Sequence, residues 1–320
     1  MIKKILAIIV DYRSAEDAAR LSCSLLSRLN HTRSFQLQVV HFDNGNWPHV
    51  SLSKQQRELG VLYQRSEKNL GYAGALNQAV RGRLAIGEPA DAYLFLNSDF
   101  QLGESALEKM VQVLSLMPRV GAVGTRVWDL RSKGRIWGAW GRINPRLGLT
   151  SMLDWKGGVL PENSYIPGCC LLVRAQAYDQ LGGLPSVYHL YFEETEFCLR
   201  LAQAGWKLWV ERGADGFHEV ASSYERIPSR SYAYYFIRNQ LFFWKNLYRI
   251  PIWFQMPRSL YVLFREILLP LRRAKSWTEF FSRVGCAFAG LLDGVLFAKR
   301  KRLIFESRLF PDQQEGSRSV

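Results

Sequence analysis

No segment of the 320-residue chain offers the roughly 18–20 uncharged residues that a membrane-spanning helix needs. Arg258, Arg265, Glu266 and Asp293 interrupt every apolar candidate. Cysteine is sparse: Cys23, Cys169, Cys170, Cys198 and Cys286 are odd in number and match no metal-ligand spacing. That pattern excludes a disulfide framework and a thiolate zinc site, and reads as reduced thiols of a cytosolic protein. Internal repeats and low-complexity tracts are absent too. The opening run ILAIIV is too brief for a secretory signal and ends at Asp11, so it is expected to be a buried strand. Acidic residues are short in one place: positions 226–320 hold 17 Lys/Arg against 6 Asp/Glu, while the rest holds 25 against 22. The net charge of +14 is therefore mostly a property of the last third, which asks for an anionic partner.

With 48% hydrophobic and 22% charged residues, the chain is compositionally globular, with room for one large domain or two modest ones. Its first 125 residues alternate strand and helix signals. KILAIIV, LQVVHFD, VLYQRS, YLFLNSD and VGAVGTRV read as strands. SAEDAARLSCSLLSRL, GYAGALNQAVRGRLA and GESALEKMVQVLSLM read as helices. This alternation predicts an α/β fold with a mostly parallel sheet and ligands at the carboxyl ends of its strands. Asp11, Asp43 and Asp99 each close a strand run, so a polar site is expected on that rim. Residues 126–165, rich in Gly, Arg and Trp, read either as a functional loop or lid or as a β-excursion with surface tryptophans. SYIPGCCLLVR reads as a strand, and KLWVERGADGFHE as one or two short ones. After Pro228 aromatics, leucines and arginines interleave, which reads as amphipathic helices lying in a membrane interface or as a soluble helical subdomain with a basic face; the joint aromatic and basic enrichment favours the membrane.

Individual motifs are ambiguous alone. Asp99 suits a hard cation, yet strand-end Asp residues often cap the next helix. NLGYAGALNQAV is neither a Walker loop nor a complete dinucleotide fingerprint, and reads as phosphate binding or close helix packing. In YFEETEFCLRLAQAGW, Glu193, Glu194 and Glu196 crowd a helix start. They read as dipole-complementing acids or as a catalytic carboxylate with neighbours.

Taken in order, IIVDYRS, FDNGN, NLGYAGALNQAV, LFLNSD, PGCCLLVR, YFEETEFCLRLAQAGW and FHEVASS resemble the inverting family-two glycosyltransferases, particularly bacterial rhamnosyltransferase-like enzymes of surface polysaccharide synthesis. The resemblance spans roughly residues 4–245. It implies a GT-A fold, a nucleotide-diphosphate sugar donor (deoxythymidine-diphosphate rhamnose first, uridine-diphosphate sugars second) and a divalent metal, Mg²⁺ or Mn²⁺. It also implies a catalytic domain over 1–225, with a nucleotide-sugar half to about 125 and an acceptor half beyond, and a helical membrane-associating region over 226–320. Residue by residue it implies Asp43 at the nucleobase and Asp11 near the nucleoside. Gly71, Tyr72 and Asn77 would shape the donor pocket, and Asn97 would stand where many relatives have a first Asp of the metal motif. Asp99 would hold the metal, with His218 near metal or diphosphate. Glu194 would be the base, with Glu193 as its neighbour or substitute. Arg238, in an Arg-Asn pair, would touch donor phosphate or brace its helix. The pattern departs at Asn97, at Glu194 (Glu in place of Asp), and at Glu219, Val220 and Ala221, where glycines are expected.

A general base explains the crowded acids, since like-charge repulsion raises a carboxylate's proton affinity. Glu196 stands four residues before Arg200 in the favourable order for a helix ion pair. His31, His41, His49 and His189 form no recognisable constellation. The implied setting is peripheral, on the cytoplasmic side of the inner membrane, with a lipid-linked or saccharide acceptor. Alternating apolar runs and charge favour lipid over nucleic acid. The alternatives are a non-catalytic basic binding protein that keeps the fold, and a nucleotidyltransferase.

Overall fold

The computed structural model describes residues 1–29, 34–46, 48–130, 134–146, 149–219, 229–251, 253–257, 260, 261, 264 and 277–300. They belong to two compact units. The first comprises residues 1–143, 150–187 and 193–220, the second 144–149, 188–192 and 221–320.

The first unit is built on a large mixed sheet. Strands β1 (Lys4–Asp11), β2 (Gln36–Asn44), β3 (Leu62–Ser66) and β4 (Ala92–Asn97) run parallel in the order β4-β1-β2-β3. All but the first residue of β1 are buried, so its unbroken apolar run is the run of a strand covered on both faces. Helices α1 (Ala15–Leu29), α2 (Lys54–Glu58) and α3 (Gly71–Ala85) connect these strands, and α3 spans the GYAGALNQAVRGRLA segment. β5 (Phe100–Leu102), α4 (Ala106–Leu116) and β6 (Val120–Asp129) follow. One core of Ile, Leu, Val and Ala from these strands, α1 and α4 runs through the unit.

Beyond residue 126 the structure follows the second of the two sequence expectations. The stretch forms β7 (Ile136–Gly138), β8 (Trp140–Asn144), β9 (Leu149–Leu153), β10 (Gly158–Val159) and β11 (Ser164–Tyr165), with β11-β8-β9 as a small separate sheet. It is thus a β-excursion, and Trp140 is buried where surface tryptophans were expected. The SYIPGCCLLVR segment is two strands, β11 and β12 (Cys170–Arg174). The break falls at Ile166-Pro167-Gly168, where proline has no N–H for a ladder. β12 lies antiparallel between β4 and β6. α5 (Ala175–Leu181) and α6 (Glu193–Gln203) lead to β13 (Lys207–His218), a single long strand with a register shift between Val210 and Asp215.

The second unit is a helix pair, α7 (Ser229–Tyr248) and α8 (Trp277–Arg300). Ala233, Ile237 and Leu241 pack against Ala287 and Leu291, and the Tyr234 hydroxyl donates to the buried Asp293 carboxylate at 2.5 Å. Small residues at 286, 287, 289, 290 and 294 let the two backbones approach closely. Among the described residues no helix is long and apolar enough to cross a membrane. Arg258, Arg265 and Glu266 lie outside them, as do Val220 and Ala221.

Candidate active site

The sheet register aligns three strand ends on one rim: Asp11 pairs with Asp43, and Val10 with Asn97. Asp11 and Asp43 are completely buried, so each carboxylate must be satisfied internally. Asp43 accepts from the Asn46 backbone and side-chain amides, the Val50 N–H and the Tyr63 hydroxyl. These bonds fold the turn after β2, and the tight spot in it is Gly45. Its φ is +77°, and a Cβ there would meet the Lys68 carbonyl carbon at 2.4 Å. Asp11 accepts from the Ser14 N–H and hydroxyl and faces His41 Nε2 at 3.0 Å. Burial alone would raise this carboxyl, but the bonds from His41 and Ser14 outweigh it and hold it below the usual range.

His41 corrects the sequence reading, which gave it no partners. Gln56 fixes its protonation: Gln56 Oε1 accepts from the Ser53 N–H, so its NH₂ must face His41 Nδ1 and Ser22 Oγ. Nδ1 is therefore an acceptor, and the His41 proton sits on Nε2, aimed at Asp11. The one available signal was a histidine in the middle of an apolar strand, VVHFD. Ser98, beside Asp99, donates to Ser14 at 2.8 Å and joins the end of β4 to the same network.

The donor-pocket residues divide. Gly71 starts α3 at φ +71°, its N–H held by Asn69. The Tyr72 hydroxyl donates to the Gly168 carbonyl at 3.0 Å. Burial first, then Cys169 and Glu193, push this phenol well above its usual range, so it remains a donor. Asn77 is spent elsewhere: its amide closes on Leu184 N–H and C=O and on the Tyr178 hydroxyl. It braces the turn after α5, and its polar atoms are not left for a ligand.

Asp99 and His218 meet, with Nε2 at 3.1 Å from the carboxylate, although they are 119 residues apart. β13 delivers the histidine by pairing with β5, His218 opposite Phe100. Nδ1 of His218 is buried without a hydrogen-bond partner. Among the described residues no third His, Cys, Asp or Glu completes a metal cluster. The Asn97 N–H donates to the Cys169 carbonyl, so the Asp99 strand end is tied to the PGCC segment. Asn97 itself is half-exposed.

That segment leads to the acids. A Cβ on Gly168 would lie 3.3 Å from the Glu194 Cβ. Cys169 is buried within electrostatic reach of both Asp99 and Glu194, and burial keeps it a thiol. Glu193, Glu194 and Glu196 open α6 and have three different surroundings. Glu196 pairs with Arg200, as the spacing anticipates. Glu193 is buried with Oε2 unpartnered. Burial, reinforced by the charge of Glu194, raises it far above the carboxylate range and keeps it protonated. Glu194 is partly exposed. Burial raises it to about 7, against the pull of its own N–H and that of Thr195. Desolvation is thus the leading cause of the raised carboxyl, where the sequence pointed to like-charge repulsion.

Arg238 lies in the second unit, 1% exposed. It donates to the Tyr188 carbonyl and to Asn239, and lies over the Tyr235 ring. Asn239 adds bonds to the carbonyls of Tyr188, Leu190 and Tyr191. The Arg-Asn pair therefore braces the segment that runs directly into Glu193, the bracing alternative and not the donor contact. Tyr191 and Phe192 in that segment hold φ values of +69° and +74°, rare and costly for aromatic residues.

The family described as "Glycosyl transferase family 2" matches residues 8–182. An N-acetylglucosaminyl-diphospho-decaprenol L-rhamnosyltransferase of Mycobacterium tuberculosis is 28% identical over 228 residues, covering 64% of this chain and 73% of that protein. A low-salt glycan biosynthesis hexosyltransferase of Haloferax volcanii is 24% identical, with 75% of each chain covered. Among solved structures, a mannosyltransferase from Pyrobaculum calidifontis in complex with GDP-Man and Mn²⁺ superposes with a TM-score of 0.51 at 13% identity, over 94% of this chain and 88% of that one. With over half its length matched, and with the strand-end rim and paired acids in place, this chain belongs to glycosyl transferase family 2.

Proposed function

We propose that the protein is an inverting rhamnosyltransferase. It would move rhamnose from deoxythymidine-diphosphate rhamnose to a lipid-linked or saccharide acceptor, working peripherally at the cytoplasmic face of the inner membrane. The observation that carries this reading is the Glu193–Glu194 pair beside Gly168, with one carboxyl kept protonated and the other raised to about 7. The rhamnosyltransferase relative supports the sugar and the lipid-linked acceptor. The mannosyltransferase neighbour with its nucleotide sugar and Mn²⁺ supports the donor class and the metal.

In this reading residues up to about 125 hold the nucleotide sugar and those to 225 the acceptor. Asp11 and Asp43 build the nucleoside wall through the turns they close, and Gly71 and Tyr72 shape the sugar side. Asp99 and His218 fit a divalent cation as a partial donor set, one carboxylate and one imidazole, whose shell phosphate oxygens and water would complete. Bound there, the metal supplies positive charge against the departing diphosphate. Glu194 takes the proton of an acceptor hydroxyl as that oxygen bonds to the anomeric carbon. The carbon–oxygen bond to the diphosphate breaks on the opposite face, which inverts the centre. A base with a pKa near the working pH is well matched to this step. Glu193, protonated and neutral, keeps a second charge away from Glu194. The basic region 226–320 would rest on anionic lipid.

The test is a thermal-shift panel of nucleotide diphosphates and their sugars, with and without Mn²⁺. A metal-dependent rise with the deoxythymidine-diphosphate pair is expected. No shift with any nucleotide, in a folded sample, would overturn the reading in favour of a non-catalytic binder.

A further inference from the structure

The second unit has a surface that the transfer chemistry does not use. Along α8, Trp277, Phe281, Phe288 and Leu292 are 71%, 65%, 47% and 49% exposed. At 3.6 residues per turn these positions fall within about 60° of one another. They form one apolar stripe roughly 22 Å long. Thr278, Ser282 and Gly285, also exposed, supply the rest of that face, and none of them carries charge. The opposite side of the helix, with Cys286, Ala287, Gly290 and Asp293, is buried within the helix pair. A helix packed on one side and apolar on its exposed side presents an apolar patch that marks an interaction surface.

We propose that this stripe of α8 is the membrane-docking surface, lying in the plane of an anionic bilayer with Trp277, Phe281, Phe288 and Leu292 in the head-group and acyl boundary. The occupant follows from charge. The sequence of α8 runs directly into Lys299-Arg300-Lys301-Arg302, and positions 226–320 carry 17 basic against 6 acidic residues. Four consecutive cations in the sequence are a match for acidic head groups. A tryptophan at one end suits the interface. A second copy of the chain, equally basic in this region, would be repelled. This assignment rests on the proposed peripheral setting and locates it.

The experiment uses the full chain and sedimentation with vesicles of phosphatidylcholine alone or with 30% phosphatidylglycerol. Wild type should partition onto the anionic vesicles and bind more weakly in 0.5 M salt. Phe281→Ser/Phe288→Ser, at exposed positions where folding is not threatened, should lose at least about tenfold in partition coefficient. Its circular dichroism and its nucleotide-induced thermal shift should match wild type. Equal partition of variant and wild type would overturn the proposal, as would wild type failing to bind anionic vesicles. A concentration-dependent dimer that dissociates in the variant would assign the stripe to a second copy instead. Vesicle binding that depends on the stripe, in a protein that binds no nucleotide, would sink the transferase reading and leave the docking surface standing.

Discussion

Both units bury charge, Arg238 and Asp293 in the second among them, but they differ in what they expose. The first hides charge: Asp11, Asp43, Glu193 and Glu196 are each at most 5% exposed. The second shows its rings: among the described residues, every exposed aromatic lies between Trp253 and Phe288. Each choice costs stability in isolation, since buried carboxylates lose hydration and exposed rings lose burial. The first unit offsets that cost at Asp11 and Asp43 with hydrogen bonds and at Glu196 with an ion pair. Its unpartnered buried polar atoms include Glu193 Oε2 and His218 Nδ1 in the candidate site, with the Tyr93 and Ser164 hydroxyls elsewhere. In the second unit the exposed rings have no such internal compensation, and a lipid surface would supply it. Under the two proposals made above, these departures from ordinary packing would separate by task, chemistry in one unit and docking in the other.

The separation breaks most visibly at Glu194. Glu194→Gln should lower kcat about 10²–10⁴-fold. Donor-induced stabilisation and vesicle partition should be unchanged, and near-normal turnover would pass the role to Glu193. Next in size is Gly45→Ala, which combines a positive φ with a backbone clash. It should destabilise the protein by about 2–4 kcal/mol in urea unfolding, and an unchanged midpoint would show that the turn relaxes. His41→Ala strips Asp11 of one donor inside the core and should cost about 1–3 kcal/mol. A loss confined to donor affinity would instead mean that the fold does not depend on the bond.

The smallest effect concerns Glu193. A native pKa raised above the unfolded one stabilises fully below about pH 4.5, and that contribution is lost as pH rises through the native value. Glu193→Gln, neutral at every pH, should therefore flatten the stability profile above pH 4.5 and unfold later than wild type at pH 8. Parallel profiles for the two proteins would mean that Glu193 ionises freely.

How far the sequence could be read follows the range of the interactions. α3, strands β1 to β4, β6 and the Glu196–Arg200 pair rest on periodicity and spacing, and these were legible; the short β5 was not. The antiparallel insertion of β12 was not, because no local pattern states which strands will be neighbours. Asn77 was read as a donor contact, and Arg238 as a donor contact or a brace; both make bracing hydrogen bonds, to partners 107 and 50 residues away that no local pattern reveals. His41 was passed over because its meaning depends on Gln56, whose orientation is set in turn by the capping box of α2. The acid cluster was legible as a candidate site. The cause of its proton affinity was not, because like charges are visible in a sequence and burial is not.

That last distinction can be measured. The pH dependence of kcat/KM for wild type and for Glu193→Gln, with the proposed donor and a soluble acceptor, separates burial from repulsion. If Glu194 is the base and desolvation sets its pKa, both enzymes will lose activity below an acid limb near pH 7. A limb that falls towards pH 4.5 in the variant would make Glu193 the cause. A profile flat from pH 5.5 to 8 in wild type would contradict Glu194 as the base.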